Sequence, residues 1–259
     1  GTFLLPGIWP SPYSCGVRTS SITAFSVCSF AFAESTTGFT DEDFLHTKGQ
    51  DIVNRKDEKI QLKGVNLGAW MIWEDWLCPY EESLDHYTVL EILTERFGEE
   101  KAYELMDTYM DNWITEYDLD EIKSMGFNCV RVPFWFRNFY YDDNGRKILD
   151  ENGEWDFSRL DWVIGECAER ELYVVLDMHG AVGYQSDAPH NGKKGECGLY
   201  DDTEQGEKYR QLTDEQLEEN EFAKSYVFYI DGFPDFTQQH FAILQHFIEF
   251  SPRVVITMN

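Results

Sequence analysis

Leu172-Tyr-Val-Val-Leu-Asp-Met-His-Gly180 is the stretch that decides the fold class. An unbroken Val/Leu run without polar alternation reads as a strand covered on both faces, as in a parallel sheet flanked by helices. Phe127-Asn-Cys-Val-Arg-Val-Pro133 has the same character. Both runs are entered from helix-like segments. Leu160, Val163, Ile164 and Cys167 fall at i, i+3, i+4 and i+7 ahead of the later run. Thr115 with Asp118 predicts a capping box for a helix that Gly126 ends, just ahead of the earlier one. This strand–helix–strand rhythm is that of a βαβ unit. Each run also ends in groups that a buried strand tolerates poorly: Arg131 in the first, Asp177 and His179 on one face of the second. In parallel α/β barrels the C-terminal strand ends open into the βα loops, where chemistry collects. Two such strands side by side define the rim of a pocket.

Working outward, Asp51-Ile-Val-Asn54 and Lys59 to Asn66 flank the charged turn Arg55–Glu58, which predicts a hairpin running into a first barrel strand. Gly68-Ala-Trp-Met-Ile-Trp-Glu-Asp-Trp76 is an aromatic loop that contains Glu74 and Asp75. Leu84, Tyr87, Leu90, Leu93 and Phe97 make a helical stripe that Gly98 ends. Ala102, Leu105, Met106, Tyr109 and Trp113 make a second one. Asp142–Gly145 and Asp150–Gly153 read as turns. Beyond His179 runs a long polar loop, then an acidic region in which Thr213 and Gln216 are read as capping a helix. Residues 214–236 are hard to assign. Phe241–Ile248 predicts a further helix, and Arg253-Val-Val-Ile-Thr-Met-Asn259 a fourth parallel strand.

At 259 residues and 42% hydrophobic content the chain can build a sizeable core. Its net charge of −27 repels phosphate, which excludes nucleic acid and anionic membranes as partners. Aromatic faces suit sugar rings, and Trp70, Trp73 and Trp135 are stacking candidates, with core packing the rival reading for each. None of the cysteines 15, 28, 78, 129, 167 and 197 shows CxxC spacing, and Cys129 and Cys167 read as buried thiols. His190 with Cys197 is too little for a metal site. Residues 1–40 stand apart: Arg18, then the apolar run Ser20–Ala33 with an Ala-x-Ala ending, reads as a secretory leader. It is too short and Ser-rich to span a membrane. A fragment start or a mispredicted exon is the rival. The remainder, 41–259, reads as one partial catalytic domain.

Four segments together resemble glycoside hydrolase family 5, the cellulases and exo-β-1,3-glucanases. They are Gly64-Val-Asn-Leu-Gly-Ala-Trp70 with Glu74, Asn128-Cys-Val-Arg-Val-Pro133, Leu176-Asp-Met-His-Gly-Ala181, and the aromatic helix at Trp113 that precedes Thr115-Glu-Tyr-Asp118. The resemblance implies a (β/α)8 TIM barrel of the α/β class, present here as a half-barrel of about four parallel strands. It also implies hydrolysis of β-glycosidic bonds with retention, by two Glu carboxylates about 5–5.5 Å apart, without a cofactor or metal. Val254–Asn259 looks like the fourth strand, stopping one residue before the acid/base Glu. The nucleophile's strand would lie further on. Both catalytic carboxylates are therefore expected beyond Asn259, and none is assigned in this chain.

Carried over by the same resemblance, Arg131 matches the residue that holds the nucleophile ionised, since a nearby cation lowers a carboxylate pKa. His179 matches a residue that binds a hydroxyl of the sugar at the cleavage point, Glu74 one that grips neighbouring hydroxyls, and Asn259 one that contacts the 2-hydroxyl. Asp177 reads as structural. The expected function is a secreted β-glucan hydrolase, its partner a β-glucan oligosaccharide or polysaccharide, with these residues inactive alone. The alternatives are a non-catalytic carbohydrate-binding protein that uses the same rim, and an incomplete chain that does not fold by itself.

Overall fold

A computed structural model of the protein describes residues 38–77, 84–201, 203–219, 227–233 and 253–258. The leader-like run before Glu34, Cys78, the helix expected at Phe241–Ile248 and Asn259 lie outside the described residues.

Strands β1 (His46–Lys48) and β2 (Asp51–Val53) pair antiparallel. The turn read at Arg55–Glu58 is built on Asn54, whose Oδ1 accepts from the N–H groups of Lys56 (3.0 Å) and Glu58 (2.9 Å). The second arm of that hairpin is slight, a single bridge between Val53 and Lys59, after which the chain enters β3 (Gly64–Asn66). After the aromatic loop come α1 (His86–Phe97) and α2 (Glu99–Trp113), separated by Gly98 at φ 84°. Helix α3 (Glu116–Ser124) starts where predicted: Asp118 Oδ2 accepts from both the N–H and the hydroxyl of Thr115, each at 2.8 Å.

Strand β4 (Cys129–Trp135), helix α4 (Ser158–Glu169) and strand β5 (Tyr173–Gly180) complete the predicted βαβ unit. β3, β4 and β5 form one parallel sheet in that order. Pro133 is tolerated in the central strand because β3 pairs no further than Asn66 with Arg131. The Arg131 carbonyl accepts from Leu67 on that side, so the position two residues on faces the same way, where no β3 ladder remains to lose a bond. The unbroken apolar runs are covered as read. Val130, Val132, Leu172, Val174 and Leu176 share a core with Val163, Ile164 and Cys167 of α4, Ala102, Met106 and Met110 of α2, and Leu119 of α3.

Two expectations are corrected beyond β5. Helix α5 spans Glu204–Glu219, so Thr213 lies in its interior and its hydroxyl donates to the Tyr209 carbonyl (3.0 Å); it does not cap. The start is marked instead by Thr203, whose Oγ1 accepts from the Gly206 N–H (3.0 Å). Arg253–Met258 is a strand, β7, but it does not extend the sheet at β5. It pairs in parallel with β6 (Val227–Phe233), which falls in the stretch that was hard to assign, and the two form a separate sheet. The half-barrel of about four strands is thus replaced, among the described residues, by a three-stranded parallel sheet and a two-stranded one, with no closed barrel.

Candidate functional site

The predicted groups meet between Arg131, the third of the seven residues of β4, and the C-terminal half of β5. Arg131 Nη2 donates to Asp177 Oδ2, and Nη1 donates to Oδ1 of Asn66 at the end of β3 (2.7 Å). His179 Nδ1 lies 2.9 Å from the same Asp177 Oδ2 and 3.2 Å from Arg131 Nη2. The period-two alternation of a strand brings Asp177 and His179 to one face, and the parallel register sets Arg131 opposite Val175, two residues before Asp177, so the long guanidinium reaches forward to them. Asp177 is buried at 1% side-chain exposure, while the Arg131 side chain remains 31% exposed.

Glu74 joins this group from the loop after β3. It is buried, and its Oε2 accepts from the Ala69 N–H at 3.2 Å. Burial pushes its carboxyl above the ordinary value, against the opposing pull of His179, the Ala69 N–H and Arg131. The loop that carries it is clamped by α2: Trp113 Nε1 donates to the Gly68 carbonyl (3.0 Å), Tyr109 donates to the Ala69 carbonyl, and Trp70 Nε1 donates back to the Met110 carbonyl (2.8 Å). A Cβ at Gly68 would stand 2.5 Å from Glu74 Oε2, so only glycine leaves the carboxylate its place.

Sequence reasoning missed three neighbours. Asn66 carries no signal of its own in the sequence, and only the β3–β4 register shows that it faces Arg131. Gln185 braces the turn after β5: its Nε2 donates to the His179 carbonyl and its Oε1 accepts from the Ala181 N–H (3.0 Å). His190, weighed only as a metal ligand, has its ring 5.4 Å from that of His179. Burial first, then the neighbouring His179, push it down to about 4 and leave it neutral. Its loop position carried no periodic signal.

The stacking candidates are corrected. Trp70, Trp73 and Trp135 are all buried. Trp73 stacks on the His86 ring at 5.4 Å, and Trp135 packs against the same ring at 4.5 Å. These indoles form core, and among the described residues the exposed ones are Trp76 and Trp113. Asn259 lies outside the described residues, which contain no group of three or more His, Cys, Asp or Glu side chains able to hold a metal ion.

A family model described as cellulase, glycosyl hydrolase family 5, matches residues 94–226, half of the chain and the part that holds β4 and β5. The chain belongs to glycosyl hydrolase family 5. A second model, described as ADDB, N-terminal, matches residues 198–259. Among curated relatives, a beta-xylosidase of Phanerodontia chrysosporium is 33% identical over 148 residues, covering 57% of this chain and 30% of that protein. A glucan 1,3-beta-glucosidase of Blumeria graminis is 30% identical over 143 residues, covering 52% and 32%. The chain spans about a third of the length of these relatives. Among solved structures, the Aspergillus niger rutinosidase matches with a TM-score of 0.45 at 14% identity, over 72% of this chain and 56% of that one. Family membership implies a TIM barrel, of which the described residues supply adjacent parallel strands and their covering helices.

Proposed function

We propose that the chain is the sugar-binding part of a retaining β-glucan hydrolase of family 5. One observation carries this reading: a guanidinium, an imidazole and a buried carboxylate, from two neighbouring parallel strands and the loop after a third, converge on one rim. Arg131 is the cation placed to hold a nucleophilic carboxylate ionised. His179 and Glu74 take hydroxyls of the sugar at the cleavage point. The acid/base and nucleophile of a retaining hydrolase act about 5–5.5 Å apart; no such pair is assigned among these residues, so binding is assigned here and turnover is not. The leader-like run before Glu34 supports export, and the names of the curated relatives make a soluble β-1,3-glucan the first ligand to try.

Calorimetry on the full chain with a β-1,3-gluco-oligosaccharide should show binding without release of reducing ends, weakened at least tenfold in His179→Ala. A chain extended past Asn259 to include the later strands should then hydrolyse the same ligand with retention, followed by NMR of the first product anomer. Absence of binding would overturn the reading, as would turnover by the 259 residues alone that is lost in His179→Ala. An extended chain that binds and never cleaves would leave the carbohydrate-binding alternative in its place.

A further inference from the structure

The hydrogen-bond geometry at the end of β5 assigns Asp177 a task that the sequence reading, which took it as structural, did not. Two groups compete for His179 Nδ1: Asp177 Oδ2 at 2.9 Å and Arg131 Nη2 at 3.2 Å. A neutral imidazole carries one proton, so Nδ1 either donates to the oxygen or accepts from the guanidinium. Arg131 has no lone pair to offer, and its Nη2 already donates to that same Oδ2. If Nδ1 were the acceptor, its lone pair would face the Oδ2 lone pairs across the shorter of the two contacts. With the proton on Nδ1, Oδ2 accepts from both neighbours and every contact among the three groups except the longest is satisfied.

We propose that Asp177 is the positioning residue of the site: its Oδ2 fixes His179 as the Nδ1–H tautomer, which leaves Nε2 to act as a hydrogen-bond acceptor. The proposal rests on the sugar-binding reading only for its consequence, that a sugar hydroxyl donates to His179 and does not accept from it. A single oxygen thereby couples a strand that carries the cation to the strand that carries the imidazole. Arg131 is held on its other side by Asn66, so β3, β4 and β5 are tied through one chain of hydrogen bonds. Such an arrangement sets both the direction of the ring and the side on which its lone pair lies.

The test is the long-range 1H–15N spectrum of the full chain labelled with 15N-histidine, at about pH 8, with the His179 signals identified by their loss in His179→Ala. Protonated and lone-pair ring nitrogens resonate far apart, so the tautomer is read directly. The parent chain should show a protonated Nδ1 and a lone-pair Nε2. In Asp177→Ala the Arg131 donor is left alone with Nδ1, and the pattern should invert to Nε2–H. In Asp177→Asn a side-chain oxygen can still occupy the Oδ2 position, and the parent pattern should return. An Nε2–H tautomer or an imidazolium in the parent overturns the proposal, and does so even if Asp177→Ala fails to fold. So does an unchanged tautomer in folded Asp177→Ala. Because the spectrum is recorded without ligand, failure of the glucan reading would appear separately, as an Nδ1–H tautomer in a chain that binds no glucan.

Discussion

Glu74 shows at the scale of one residue how burial becomes a measurable property. Its carboxyl takes up a proton at higher pH in the folded chain than in the unfolded one, because burial penalises the charge more than His179 and Arg131 relieve it. Between the ordinary carboxylate value and the raised folded one, the folded chain holds a proton that the unfolded chain has released. Stability therefore falls as pH rises through that window. Glu74→Gln keeps an acceptor for the Ala69 N–H and removes the titration. Urea midpoints should place the variant above the parent at about pH 8, the difference closing on acidification below the carboxylate range. A gap that persists unchanged at low pH would show that the carboxyl is not the cause. At this scale Arg131 and His179 were legible because a charged or ring-nitrogen group at the end of an apolar run has no apolar explanation. Trp70, Trp73 and Trp135 were not, since an indole reads the same whether it meets a sugar or packs against His86.

At the scale of the element, the turn after β5 depends on one missing side chain. A Cβ at Gly180 would lie 2.3 Å from the Asn191 carbonyl oxygen and 2.5 Å from Cδ1 of the buried Trp135. Neither backbone nor a fully enclosed indole gives way cheaply, so Gly180→Ala should cost about 1–3 kcal/mol and push the His190 loop away from β5. Gly165 in α4 is the matched control: nothing lies within 4 Å of its Cβ position, and its backbone is helical. Gly165→Ala should raise stability by about 0.5–1 kcal/mol, read from denaturation curves of both variants against the parent. The elements themselves were legible where one local rule decided them. The spacing of Leu160, Val163, Ile164 and Cys167, the Thr115–Asp118 cap and Gly98 all act within a turn or two of helix. β6 was missed, and the start of α5 was misplaced at Thr213, because acidic and aromatic residues there alternate with no clean period.

The whole molecule sets hydrogen-bonding edges against charge. β3 and β5 each have one strand neighbour among the described residues, β4, and a strand edge without a second ladder offers its backbone groups for pairing. A net charge of −27 opposes the approach of a second copy. Raising sodium chloride from about 0.02 M to 0.5 M shortens the screening length severalfold. Light scattering should then show association that is weak at low salt and grows with added salt. A mass independent of salt would mean that these edges are covered and that charge does not guard them.

The amino-acid order by itself determined the parallel α/β character, the helix between β4 and β5, and the polar groups carried by both strands. These follow from periodicity and from the cost of burying a charge, both of which act along the chain. Only the tertiary structure decided that Asn66 and His190 join the rim, that the tryptophans are core, and that β7 pairs with β6 and does not extend the first sheet. Those outcomes depend on strand register and on which surfaces meet. A chain read one residue at a time contains neither.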